Sequence, residues 1–201
     1  MPKIVDHEKQ KTLVAEAALR VIRRDGLEQA SVRKIAVESG LSVGSMRHYF
    51  SSQAELFAFV MNLFLEQIEE RLSRMDFSGP VLPAVNLLLQ QFLPMDEERK
   101  LEMEVWLSFT TRALLAPELK GLSADMQDGL YRAANSAVDL LVKSELALPQ
   151  LDHAFETERL YALIDGMALH HLMNAEKLPP ERMKELLERH LSSLCRADIR
   201  P

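Results

Sequence analysis

The side chains best equipped for chemistry in this 201-residue chain gather between Ser31 and Phe50, in the run SVRKIAVESGLSVGSMRHYF. Ser42, Ser45, Arg47, His48 and Tyr49 offer hydrogen-bonding groups, with Val43 and Gly44 interleaved. Two chemistries could use them. Gly40-Leu41-Ser42-Val43-Gly44 matches the G-x-S-x-G of a hydrolase nucleophile, and Asp165 and His170 could be cast as its partners. That motif needs a buried strand ahead of the serine. Here the preceding residues, Ile35-Ala36-Val37-Glu38-Ser39, read as a helix. The other chemistry is the reading of a duplex: Arg47 toward phosphate or guanine, Ser45 toward a base or phosphate, Val43 against a thymine methyl, and Gly44 permitting close approach. Metal chemistry finds no support, since His170 and His171 are adjacent and point to different faces, and Cys195 lacks a spaced partner. No catalytic residue, metal or cofactor is expected, and one cysteine excludes an intramolecular disulfide.

The elements that must hold this stretch are legible beside it. Ser31 is placed to cap a helix carrying Val32, Ile35 and Ala36 at helical spacing. Gly40 ends that helix as the residue that tolerates the left-handed conformation. Leu41 fills the corner and Ser42 caps a second helix over Val43–Phe50, with Met46, Tyr49 and Phe50 inward and Gly44, Ser45, Arg47 and His48 outward. Helix, glycine turn and short polar-faced helix make a helix-turn-helix.

From Ser31 to Leu56 the residues S-V-R-K-I-A-x-x-x-G-L-S-x-G-S-M-x-x-Y-F-x-S-x-x-E-L resemble the DNA-binding signature of TetR-type transcriptional repressors. The resemblance implies an all-α fold: an N-terminal three-helix DNA-binding domain, then a larger helical ligand-binding and dimerisation domain. It also implies that Arg33 reaches base edges, so the expected DNA contacts are Arg33, Ser42, Val43, Gly44, Ser45, Arg47 and His48, with Tyr49 packing in the core and its hydroxyl on a phosphate. The chain departs from the family in two places. Arg47 stands where the family usually has a phosphate-touching aromatic, and Gln53 where it usually has a phosphate-binding lysine. Arg47 can supply the missing charge.

Charge is divided unevenly. Residues 1–53 hold nine basic and six acidic side chains, a net of +3, while the whole chain carries −6, leaving −9 for the remainder. A basic head on an acidic body orients the molecule on a polyanion. The longest apolar run, Leu56–Leu65, is too short to span a bilayer and no signal segment precedes it, so a cytoplasmic protein without a membrane partner is expected.

The expected domains are 1–52 and 53–201, joined by a long helix over 53–75 rather than a flexible linker. The body reads as further helices punctuated by Pro94, Pro117 and Pro180, with no period-two alternation. Its middle offers Phe92, Met103, Trp106, Phe109, Tyr131, Asn135 and His170 for a small-molecule effector, with Glu102 and Arg112 as charged partners. Leu160, Ile164, Met167, His171 and Leu172 form one stripe, and Met183, Leu187, His190, Leu191 and Leu194 another. The expected use of both is a homodimeric four-helix bundle, the other reading being internal core. Two heads about one DNA turn apart, roughly 34 Å, would read a palindromic operator. The run Ala162–Met167 is similar to the betaine- and choline-responsive branch of the family. The function expected is a repressor released from DNA when an effector shifts the 53–75 helix, the alternatives being a corepressor-dependent regulator or an esterase-type hydrolase using Ser42.

Overall fold

A computed structural model of the chain describes residues 7–26, 29–46, 49–50, 52–76, 78–115 and 120–196. Among these the helices are α1 (His7–Asp25), α2 (Val32–Ser39), α3 (Val43–Met46), α4 (Gln53–Ser73), α5 (Val81–Gln90), α6 (Glu97–Ala113), α7 (Lys120–Lys143), α8 (His153–Met173) and α9 (Pro180–Leu194). The fold is all-α. The extended pairing among the described residues is one antiparallel bridge, Ala147 with Cys195, flanked by Leu148 N to Leu194 O and Arg196 N to Leu146 O, both 2.9 Å.

Local chemistry sets the helix ends. Gly26 closes α1 at φ 82°, and Gly40 closes α2 at φ 70°. A Cβ at either position would meet nothing within 4 Å, so backbone conformation rather than crowding calls for glycine. Asp152 accepts from Phe155 N at 3.1 Å to cap α8. Ser52 does the same for α4, accepting from Glu55 N at 3.1 Å.

The chain condenses into two units, Met1–Gln67 with Val105–Ser123 and Ile68–Glu104 with Ala124–Pro201, and the division falls inside α4, α6 and α7. The first unit buries Val14, Ala17, Ala18, Val21 and Ile22 of α1 together with Ile35, Ala36, Met46, Phe50, Leu56 and Val60. Burial of this stripe, at roughly 25 cal/mol per Å² of apolar surface, is what makes the short α2 and α3 stable.

In the second unit the core is built from α5, α7, α8 and α9: Val85 and Leu89, Ala134, Ala137, Val138 and Leu141, Leu160, Ile164 and Met167, Met183, Leu187 and Leu191. This corrects the expected dimer set. Leu160, Ile164, Met167, His171, Met183, Leu187, Leu191 and Leu194 are all buried within one protomer, because α8 and α9 turn their stripes into their own unit's core. His171 Nδ1 is bonded to Leu178 O at 2.8 Å, as a core histidine would be. The polar contacts of this core are specific: Gln90 Nε2 donates to Asn86 Oδ1, and Asn86 Nδ2 to Glu188 Oε1, both at 3.1 Å, fixing α5 on α9.

Candidate nucleic-acid interface

The α2–α3 corner is defined by its hydrogen bonds. Ser31 Oγ accepts from Lys34 N at 3.3 Å, with Ser31 extended at φ −127°, ψ 155°. At the other end Leu41 N reaches Ala36 O at 3.0 Å and Gly40 N reaches Val37 O at 3.3 Å. That nested pair is a Schellman closure, and it satisfies the last carbonyls of α2. Two residues later Ser42 Oγ accepts from Ser45 N at 3.0 Å and caps α3. Tyr49 N and Phe50 N both bond Met46 O at 2.9 Å, continuing the turn toward the buried Phe50.

What this corner presents is polar and accessible. Ser42, Val43 and Gly44 are exposed and Ser45 is half-buried, its hydroxyl 2.9 Å from that of Ser42. Arg33 is exposed on α2 and has no ion-pair partner among the described residues. Val37, one helical turn further along α2, is 76% exposed; the sequence reading did not single it out, since an apolar residue in that run passes for core. Arg47 and His48 lie outside the described residues, as does the side chain of Gln53.

Tyr49 is half-buried, and its hydroxyl donates to Gln10 Oε1 of α1, a bond that holds the corner on α1.

The G-x-S-x-G match is a turn between two helices. Ser42 follows α2 and the Gly40-Leu41 corner, its oxygen is engaged by Ser45, and Asp165 and His170 belong to the other unit. The strained strand-to-helix geometry that activates such a serine is not what this segment forms.

The residues expected around an effector divide between the units. Trp106 and Phe109 belong to the first, and Phe109 is fully buried core. Phe92, Met103, Tyr131, Asn135 and His170 belong to the second. There Phe92 and Met103 pack at the margin of the core, and Asn135 is half-buried. His170 is exposed on the outer side of α8, which removes it from an interior site. Tyr131 meets Tyr161 edge-on, ring centroids 5.9 Å apart at 77°, a partner the sequence reading missed. Beside this pair burial pushes the Asp165 carboxyl up, against an opposing hydrogen bond from Tyr161.

Capped helix, left-handed glycine corner and second helix with an accessible polar edge define a helix-turn-helix regulator of transcription. Residues 14–60 match the model of bacterial regulatory proteins of the tetR family, and residues 83–196 match that of the BetI-type transcriptional repressor C-terminal domain. The chain belongs to the TetR family of DNA-binding transcriptional regulators. It is 40% identical over 202 residues to the HTH-type transcriptional regulator PksA of Bacillus subtilis (strain 168), covering 100% of this chain and 97% of that one. It is 26% identical over 195 residues to the HTH-type transcriptional regulator BetI of Vibrio campbellii, covering 95% and 94%. Among solved structures, a transcriptional regulator from Rhodococcus sp. Rha1 superposes with TM-score 0.76 at 28% identity, covering 92% of this chain and 95% of that one. A regulator from Saccharomonospora viridis, solved in complex with choline, superposes with TM-score 0.80 at 22% identity, covering 90% and 95%. The latter likeness is one of fold. No helix among the described residues is long and apolar enough to cross a membrane.

Proposed function

We propose that this regulator is a cytoplasmic repressor that binds a palindromic operator as a homodimer and is released by a small-molecule effector. The carrying observation is the α2–α3 corner, where Arg33, Ser42, Val43 and Gly44 stand accessible around a turn fixed by its own backbone hydrogen bonds. Arg33 suits guanine, Val43 a thymine methyl and Ser42 or Ser45 a phosphate. Arg47 and His48 extend the same edge in sequence. We take residues 1–52 as the DNA-binding domain and 53–201 as the ligand-binding and dimerisation domain, with α4 connecting them.

The dimer reading rests on the outer face of α8. Phe155, Ala162, Gly166, Leu169 and Met173 recur at helical spacing, and Phe155 is 58% and Met173 75% exposed. Such a face suits a twofold contact with its own copy. Sedimentation of the chain as a dimer, shifted to monomer by Met173→Asp, is the expected result; a parent that sediments as a monomer defeats this reading.

For the effector, Tyr131, Tyr161 and the half-buried Asp165 form an aromatic and anionic group suited to a small organic cation. Choline, the compound bound to the Saccharomonospora viridis regulator, is the first to test. Gel-shift titration with duplexes from the chain's own upstream region tests the whole scheme. Binding lost on adding choline supports it, and binding strengthened by choline makes the protein corepressor-dependent.

A further inference from the structure

The first unit carries an ion network whose carboxylates look misplaced on a protein that approaches a polyanion. Glu38, in the last turn of α2, accepts from Arg20 Nε and from Arg24 Nη1 of α1, each at 2.9 Å. Arg24 also donates through Nε to Asp25 at 3.0 Å. Asp25 in turn accepts from Lys34 Nζ, in the first turn of α2, at 3.1 Å. The eight-residue α2 is therefore tied to α1 at both of its ends. The arginine beside Asp25 and Glu38 holds both carboxyls below their ordinary values.

Two consequences follow from helix geometry. Arg33 and Lys34 are consecutive, so their side chains leave α2 about 100° apart. Lys34 is tethered to α1, and this fixes the rotation at which exposed Arg33 and Val37 stand. The same carboxylates also occupy Arg20, Arg24 and Lys34, three cations that would otherwise contribute sequence-independent attraction to phosphates.

We propose that Glu38 and Asp25 are positioning residues for operator recognition: by pinning α2 to α1 at both ends they set the angle of Arg33, and by pairing three cations they suppress indiscriminate DNA binding. They raise specificity at the expense of raw affinity. This rests on the DNA-binding reading above. Simple electrostatics gives the opposite sign for the specific complex, since deleting an anion from a DNA-binding head strengthens binding to every duplex alike.

The test uses the full chain, its Glu38→Gln variant, and a pool of random-sequence duplexes with selection and sequencing of the bound fraction. The parent is expected to enrich a motif. Glu38→Gln is expected to bind an unrelated duplex more tightly, with a steeper dependence on salt, while its preference for the motif over that duplex falls at least ~5-fold. Asp25→Asn, at the other end of α2, is expected to act in the same direction and carries the test if Glu38→Gln does not fold. An enriched motif bound by parent and variants with equal preference overturns the proposal and leaves the operator reading standing. A parent that enriches no motif overturns both.

Discussion

Charge is handled differently in the two units. In the first, Arg20, Arg24, Lys34, Asp25 and Glu38 form their network at the surface, with side chains from 22% to 58% exposed. In the second, Arg71 of α4 grips Glu102 of α6 through both guanidinium nitrogens, at 2.5 and 2.7 Å, and the Glu102 side chain is only 1% exposed. Water can solvate the members of the first set when a partner is lost, so that network contributes geometry more than stability. It cannot reach Glu102, so loss of Arg71 strands a charge in the core.

That contrast can be broken by mutation. Arg71→Ala is expected to cost about 3–5 kcal/mol in urea unfolding, because it leaves Glu102 buried and uncompensated. Replacing both members, Arg71→Met with Glu102→Leu, should recover most of that loss; a double variant as unstable as the single one would mean that packing rather than charge is responsible. In the first unit the sensitive position is backbone rather than ionic. Gly40→Ala forces a Cβ into the left-handed region and should cost about 1–2 kcal/mol, visible as a lower thermal midpoint.

Smaller effects sharpen the same comparison. Thr157 is fully buried, and its hydroxyl has no hydrogen-bond partner among the described residues. Thr157→Val removes that desolvated group at nearly constant shape and is expected to raise stability by about 1 kcal/mol. His190 supplies a pH test. Burial, helped by Arg159 and opposed by Glu156, lowers the imidazole from its ordinary value of 6.5. The unfolded chain therefore takes up a proton near that value when the folded chain does not. The His190 contribution to stability is constant above this range and declines as pH falls through it, and His190→Gln should flatten the profile of unfolding midpoint against pH. Smallest of all, Glu38→Gln should leave the unfolding midpoint unchanged while altering DNA discrimination.

Much of the recognition corner was legible because its determinants lie within a few residues of each other. Ser31, Gly40 and Ser42 cap or close helices through bonds to backbone groups three to five positions away. The helices expected between Pro117 and Pro180 are seen as α7, Lys120–Lys143, and α8, His153–Met173. What the sequence did not announce was long-range. The hydroxyl of Tyr49 is taken by Gln10, 39 positions earlier, and no local pattern announces that. Phe109 and His170 look alike as effector ligands in a helical repeat, yet one is core and the other faces out.

By itself the sequence determined where caps and glycine closures fall and which residues share a face, since capping and periodicity are local hydrogen-bonding and steric effects; it also carried the family's motif, although the helix expected over Val43–Phe50 is seen over Val43–Met46. Tertiary structure decided what each face meets. The α8 stripe through Leu160 and Ile164 and its opposite through Phe155 and Met173 have the same period, but only the first is buried in the protomer. A helix can present several apolar stripes, and the segment that packs on one of them comes from far along the chain: α5 and α9, joined by Asn86 and Glu188, lie 102 residues apart at that bond.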